Sequence, residues 1–128
     1  MVDVLIVDDS AAIRKILQRV LRQADIPIGK VIEAGDGVEA LAALKNAALA
    51  QEAKVGLILS DINMPNMDGL ELLSQLKASP EWKDLPVVMV SSEGSQTKVL
   101  EAVGLGASGY VRKPFTADQI KEKLTAIL

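Results

Sequence analysis

The sequence predicts an α/β protein whose five short parallel strands form a doubly wound sheet with helices on both faces. Two observations carry this. Apolar runs alternate five times with amphipathic stretches, with no linker, repeat or low-complexity segment between them. The third run, Val55 to Ser60, is almost continuously apolar rather than alternating, as in a strand covered on both sides. Right-handed crossovers then place the intervening helices on the two faces of one parallel sheet.

Val2 to Val7 is the first strand. A helix follows from about Ser10 to Ala24, with Ile13, Ile16, Leu17, Val20 and Leu21 recurring at helical spacing. Pro27 and Gly29 break the chain before a second strand, Lys30 to Ala34. Asp36-Gly37 opens a helix expected to bury Val38, Leu41, Leu44 and Leu49. After the third strand, the loop Asp61 to Asp68 leads into a helix bearing Leu70, Leu73 and Leu76. That helix ends at Ser79-Pro80, because proline disfavours helical backbone at the preceding residue. Pro86 to Val90 is the fourth strand. A short helix turns Val99, Ala102 and Val103 inward and stops at Gly104, Gly106 and Gly109. Tyr110 to Arg112 is the last strand. Thr116-Ala117-Asp118-Gln119 reads as a capping box for a terminal helix with Ile120, Leu124, Ile127 and Leu128 inside.

A chain of 128 residues, 49% hydrophobic, is expected to form a single domain, residues 1–128, without disulfide or metal staples. The formal net charge of −3 speaks against general nucleic-acid binding, which needs a basic face. There is no cysteine, hence no disulfide or thiolate site, and a cytoplasmic location is the expectation. The acid-interrupted N-terminus is not that of a signal peptide, and no apolar run is long enough to span a bilayer, so no membrane association is expected. The absence of histidine excludes Ser-His-Asp catalysis, histidine-ligated zinc and a phosphohistidine within the chain.

Polar residues fall where the strands end. Asp8 and Asp9 close the first strand, Asp61 the third, Ser91 the fourth and Lys113 the fifth. Ligands of open α/β sheets bind at the carboxyl ends of strands, at the topological switch point. Two carboxylates at roughly 4 Å repel by about 4 kcal/mol at an effective dielectric near 20, and a third compounds the cost unless one is protonated or a cation binds. An all-oxygen set favours a hard ion that keeps several waters, Mg²⁺ rather than Ca²⁺. Mg²⁺ beside a nucleophilic carboxylate, with Lys113 opposite and a hydroxyl in reach, is a phosphoryl-transfer arrangement.

At these residues the chain resembles a family. Val7-Asp8-Asp9-Ser10, Asp61 to Gly69 (DINMPNMDG), Ser91-Ser92-Glu93 and Gly109 to Phe115 (GYVRKPF) are similar to the signatures of response-regulator receiver domains, in order and at matching spacing. The resemblance is closest to stand-alone chemotaxis response regulators, the CheY-like proteins. It implies a flavodoxin-like sheet of order 2-1-3-4-5, an order already documented for chemotaxis receivers. It implies that Asp61 is the phosphoacceptor, and that Asp9 and Asp61 ligate Mg²⁺ directly, Asp8 largely through water and Asn63 through its backbone carbonyl. Ser91 would bond a phosphoryl oxygen, and Lys113 another oxygen or Asp61 itself. The Lys113–Pro114 bond would be cis. Tyr110 would be the aromatic that rotates with Ser91 on activation, and Asn63 and Glu93 would tune dephosphorylation. Two departures stand out. Ser91 replaces a common threonine, and Ile62 follows the acceptor where some chemotaxis members carry tryptophan. The lone Trp82 lies elsewhere, so its fluorescence is expected to report phosphorylation poorly.

The function so implied is a two-component signalling receiver, phosphorylated by a histidine kinase. It would then bind an effector such as a flagellar motor switch component, catalysing only its own phosphorylation and dephosphorylation. A receiver cut from a longer regulator, or a phosphate sink or relay, would share these signatures. An aspartyl phosphatase would need an acid/base two residues after Asp61, where Asn63 stands. A nucleotide or flavin module would need a Gly-rich phosphate loop where Asp8-Asp9-Ser10 stands.

Overall fold

The computed structural model describes residues 2–51, 54–92 and 96–128. Strands and helices alternate as β1 (Val2–Val7), α1 (Ala11–Gln23), β2 (Ile28–Ala34), α2 (Gly37–Ala50), β3 (Val55–Ser60), α3 (Gly69–Ala78), β4 (Val87–Ser91), α4 (Gln96–Gly104), β5 (Gly109–Arg112) and α5 (Ala117–Ile127). The strands pair in parallel in the order β2-β1-β3-β4-β5. The chain therefore reverses its direction of winding beside β1 and β3, which opens a crevice at their carboxyl ends.

Alternation along each strand builds two cores. Leu5, Val7, Ile58, Val87 and Met89 pack with Ala40 and Leu44 of α2, the α3 leucines and Ala102 of α4. Val4, Ile6, Leu57, Leu59, Val88 and Val90 point the other way, onto Leu17, Val20 and Leu21 of α1 and Ile120 and Leu124 of α5. Helices thus cover both faces. Asp3 straps the far edge of the sheet: its carboxylate accepts the backbone N–H groups of Lys30 in β2 (2.7 Å) and of Lys54 just before β3 (3.3 Å). Those bonds sit where the register shifts on either side of β1.

Helix starts follow their capping residues. The Ser10, Asp36, Asp68 and Thr116 side chains each accept the backbone N–H three residues on, the usual satisfaction of a first-turn donor. At α5 the Gln119 side chain returns the bond to Thr116, completing the expected capping box. β2 starts two residues earlier than expected and includes Gly29.

The inward face of α2 differs from the expectation. Gly37, Ala40, Leu44 and Ala47 are buried, whereas Val38 is 52% and Leu49 84% exposed. Small residues let this helix lie close to the sheet, and they set its rotation; the larger Val38 and Leu49 lie about a third of a turn or more off that stripe. Ile16, Val103 and Leu128, also expected inside, are exposed as well. Leu17, Val20 and Leu21 hold the buried stripe of α1, Ala102 that of α4, and Leu128 caps the open end of α5. No helix of the described residues is long and apolar enough to cross a membrane.

Candidate functional site

The crevice beside β1 and β3 collects the charged residues anticipated from the sequence. The end of β1 places Asp8 one residue beyond Val7, with its N–H on the Ala34 carbonyl of β2 (3.1 Å). The end of β3 places Asp61 in the same way, its N–H on the Val7 carbonyl (2.9 Å). Asp8 and Asp61 are buried and Asp9 is exposed, and one carboxylate oxygen from each lies within 4.8 Å of the others. At such spacing each pair repels by roughly 3 kcal/mol at an effective dielectric near 20.

One cation answers part of that repulsion. The Lys113 ammonium donates to Asp8 Oδ2 at 2.6 Å and to Asp61 Oδ2 at 3.3 Å. Lys113 is brought there by its own N–H, which donates to the Ser91 carbonyl at the end of β4 (2.9 Å), and the Lys113–Pro114 peptide is cis. Burial pulls the Lys113 pKa down, but the Asp8 hydrogen bond and the charges of Asp61 and Asp8 outweigh it. The value therefore lies above the usual 10.5. The ammonium stays charged across neutral pH, and the stability it contributes is lost only as pH rises through that raised value.

The other oxygen of each buried carboxylate is held by backbone. Asp8 Oδ1 accepts Ser10 N–H (2.9 Å), and Asp61 Oδ1 accepts the buried Ile62 N–H (2.7 Å). These bonds fix both rotamers and leave the carboxylates as a preset group. Three carboxylates facing one ammonium still carry an excess of negative charge. An all-oxygen set of this kind fits a hard divalent cation and offers nothing to a soft one. Ser91 is fully buried at the end of β4, and Tyr110 is half-buried one strand over, packed against the first core. Asn63 is exposed on the loop after Asp61. Glu93 lies outside the described residues.

Some contributors carry no motif that betrays them. Arg14 of α1 donates from Nη1 to the Asp8 carbonyl (2.6 Å) and from Nε to Glu33 (3.0 Å), and Lys15 pairs the other Glu33 oxygen (3.0 Å). Ser60 Oγ donates to the Asp61 carbonyl (2.9 Å). Ile62, following Asp61, is core. Only the helical phase of Arg14, four residues after its cap, hints that it faces β2.

Two carboxylates near the site should set the acid limb of stability. Lys15 and Arg14 hold Glu33 below its usual 4.5 against the opposing effect of burial. The Asn66 amide and the Glu39 N–H hold Asp36 below its usual 3.8. A depressed folded-state pKa stabilises above the unfolded value, and that stability is lost as pH falls through the folded value. Tm is therefore expected to decline as pH drops from about 5 towards 3, and Glu33→Gln should flatten that decline relative to the parent. A parallel decline in both proteins would exclude Glu33 as a contributor.

Comparison with known proteins agrees with this architecture. Residues 4–125 match the family model described as the response regulator receiver domain. The chain is 40% identical over 124 residues to the chemotaxis protein CheY-3 of Vibrio cholerae, covering 97% of this chain and 89% of that protein. Among solved structures, Vibrio cholerae CheY4 superposes with a TM-score of 0.83 at 35% identity, covering 100% of this chain and 99% of that one. The CheX-CheY-BeF3-Mg+2 complex from Borrelia burgdorferi gives a TM-score of 0.86 at 28% identity, covering 98% of this chain and 88% of that one.

Proposed function

From the premise that the chain belongs to the response regulator receiver domain family, we propose that Asp61 accepts a phosphoryl group from a partner histidine kinase and that the phosphorylated domain changes its affinity for an effector protein. The observation that carries this reading is the meeting of Asp8, Asp9 and Asp61 within 4.8 Å, faced by Lys113, at the switch point of the sheet.

Each residue then has a role its position supports. An Asp61 carboxylate oxygen attacks phosphorus, the P–N bond to the donor imidazole breaks, and the imidazole leaves with a proton from solvent. Water later attacks the same phosphorus, releases inorganic phosphate and returns the carboxylate. Asp8, Asp9, Asp61 and the Asn63 carbonyl would hold Mg²⁺, which when bound neutralises charge on the transferring group. Lys113 draws on its existing position between Asp8 and Asp61 to pair phosphoryl oxygen. Ser91, at the end of the adjacent strand, offers a hydroxyl to another. Tyr110, in the pairing strand next to it, would follow Ser91 and signal to the surface. Asn63, two residues after the acceptor, and Glu93, two residues after Ser91 in sequence, would set how water reaches phosphorus.

The chain acts on no separate substrate in this reading, and residues 1–128 work as one receiver. The effector would be a protein, a motor switch component being the first choice given the chemotaxis relatives. That a Borrelia relative was solved with CheX, BeF3 and magnesium supports both a protein partner and a metal at this place.

Mg²⁺ is expected to raise Tm, since binding only the folded state stabilises it by mass action. With Mg²⁺ and a small acyl phosphate the protein should acquire a hydroxylamine-labile phosphoryl group, and EDTA should prevent this. Labelling at the same rate in EDTA would remove the metal from the account. Motor-switch candidates should be recovered better with the phosphorylated protein; equal recovery in both states would count against a gated output.

A further inference from the structure

The loop from Asp61 to Gly69 is anchored at both ends. Asp61 N–H binds the Val7 carbonyl, and Gly69 N–H binds the Ile62 carbonyl (2.8 Å). Between these anchors lies Asn63, exposed, whose backbone carbonyl is a proposed metal ligand. The middle of the loop is tied to the turn between β2 and α2 by two bonds. Asn66 Nδ2 donates to Asp36 Oδ2 (2.8 Å), and Gly37 N–H donates to the Met67 carbonyl (3.0 Å). Asp36 is 5% exposed, and its other oxygen caps α2 through Glu39 N–H (2.9 Å). Asn66 adopts a left-handed φ of 64°, which asparagine tolerates better than most residues. Met67 N–H closes a tight turn onto the Pro65 carbonyl (2.7 Å). The Met67 side chain lies over Gly37 so closely that a Cβ there would come within 2.6 Å of it.

The start of α2 therefore reaches the acceptor loop through one buried carboxylate and one backbone N–H. We infer that Asp36 and Asn66 are positioning residues: their side-chain bond holds the 61–69 loop so that the Asn63 carbonyl stands ready beside the three carboxylates. The inference rests on the metal-site reading above. Neither residue touches the ion; they act by restricting the backbone that presents a ligand, and supporting partners of this kind tune metal affinity strongly. A cap alone would need no Asn66, because Asp36 Oδ1 already serves the helix.

Magnesium titration calorimetry on the full chain tests this, with Tm measured separately on the same variants. Asn66→Gly keeps the left-handed backbone but loses the amide, and is expected to weaken Mg²⁺ binding about tenfold. The exchange Asp36→Asn with Asn66→Asp returns one donor and one acceptor with their roles reversed and the net charge unchanged. The new amide at 36 can still cap α2 through its oxygen. This double variant is expected to bind Mg²⁺ close to the parent value. Parent-like affinity in Asn66→Gly with a lowered Tm would overturn the inference and leave the bond purely structural. A double variant as weak as Asn66→Gly would overturn it too, since the loss would follow the residue and not the bond. Failure of the parent itself to bind Mg²⁺ would instead bring down the metal-site reading, and this inference with it.

Discussion

Asp61→Asn is expected to lose phosphoryl uptake by at least about three orders of magnitude, because an amide oxygen is a poor nucleophile and the new amide cannot form a stable acyl phosphate. The same change has a second, opposite consequence. It removes one of three carboxylates that lie within 4.8 Å, two of them buried. Relief of repulsion of roughly 3 kcal/mol per pair is partly offset, because Lys113 loses its 3.3 Å partner and meets an NH₂ group. Lys113 keeps Asp8 at 2.6 Å. Tm in metal-free buffer should therefore rise modestly, by the equivalent of about 1 kcal/mol, while the further rise on adding Mg²⁺ shrinks. Labelling at the parental rate would exclude Asp61 as acceptor. A marked fall in metal-free Tm would exclude an electrostatically frustrated site.

Gly69→Ala should be among the most damaging single substitutions in the chain. Helix propensity alone favours alanine over glycine by about 1 kcal/mol at a helical position. Gly69 opens α3, but a Cβ there would stand 2.0 Å from the Asp61 carbonyl oxygen and 2.9 Å from Met89 Cε. The obstacle is backbone, so it cannot rotate away; either α3 or the acceptor peptide must shift. A net loss of about 3 kcal/mol or more is expected, at the upper end for overpacking. In a domain of this size that lowers Tm by roughly 10 °C. Phosphorylation should slow as well, because the peptide that moves carries the acceptor. Gly104→Ala is the internal control. Nothing lies within 4 Å of a Cβ there, and it should be neutral or slightly stabilising. Thermal melts of the two variants distinguish steric necessity at position 69 from general intolerance of alanine.

The strands were legible because burial on both faces leaves a simple signature: β3 begins and ends where its apolar run does, and β1 likewise. Helix starts were legible where local chemistry decides them, as at Thr116 with Gln119. The rotation of α2 was not. Its alanines satisfy either face, so the large apolar residues suggested a buried stripe that close packing of Gly37, Ala40 and Ala47 displaced. At the site, the three acids and the lysine could be read from their places at strand ends, since a parallel sheet brings those ends together. Arg14 on the Asp8 carbonyl and Asn66 on Asp36 could not. Both side chains are of types ordinary on a helix surface or in a turn; the first bond spans only six residues, the second thirty. Only the tertiary approach of β2 to the acceptor loop reveals the second pair.

In the proposed mechanism one carboxylate, Asp61, receives the phosphoryl group while its acidic neighbours do not. Borohydride reduces an acyl phosphate to an alcohol and so marks the modified residue covalently. After labelling with Mg²⁺ and a small acyl phosphate, reduction and proteolysis, mass spectrometry should find the reduced residue at position 61 and leave Asp8 and Asp9 unchanged. Reduction at Asp8 or Asp9, or none at Asp61 in protein that has taken up phosphate, would contradict the account.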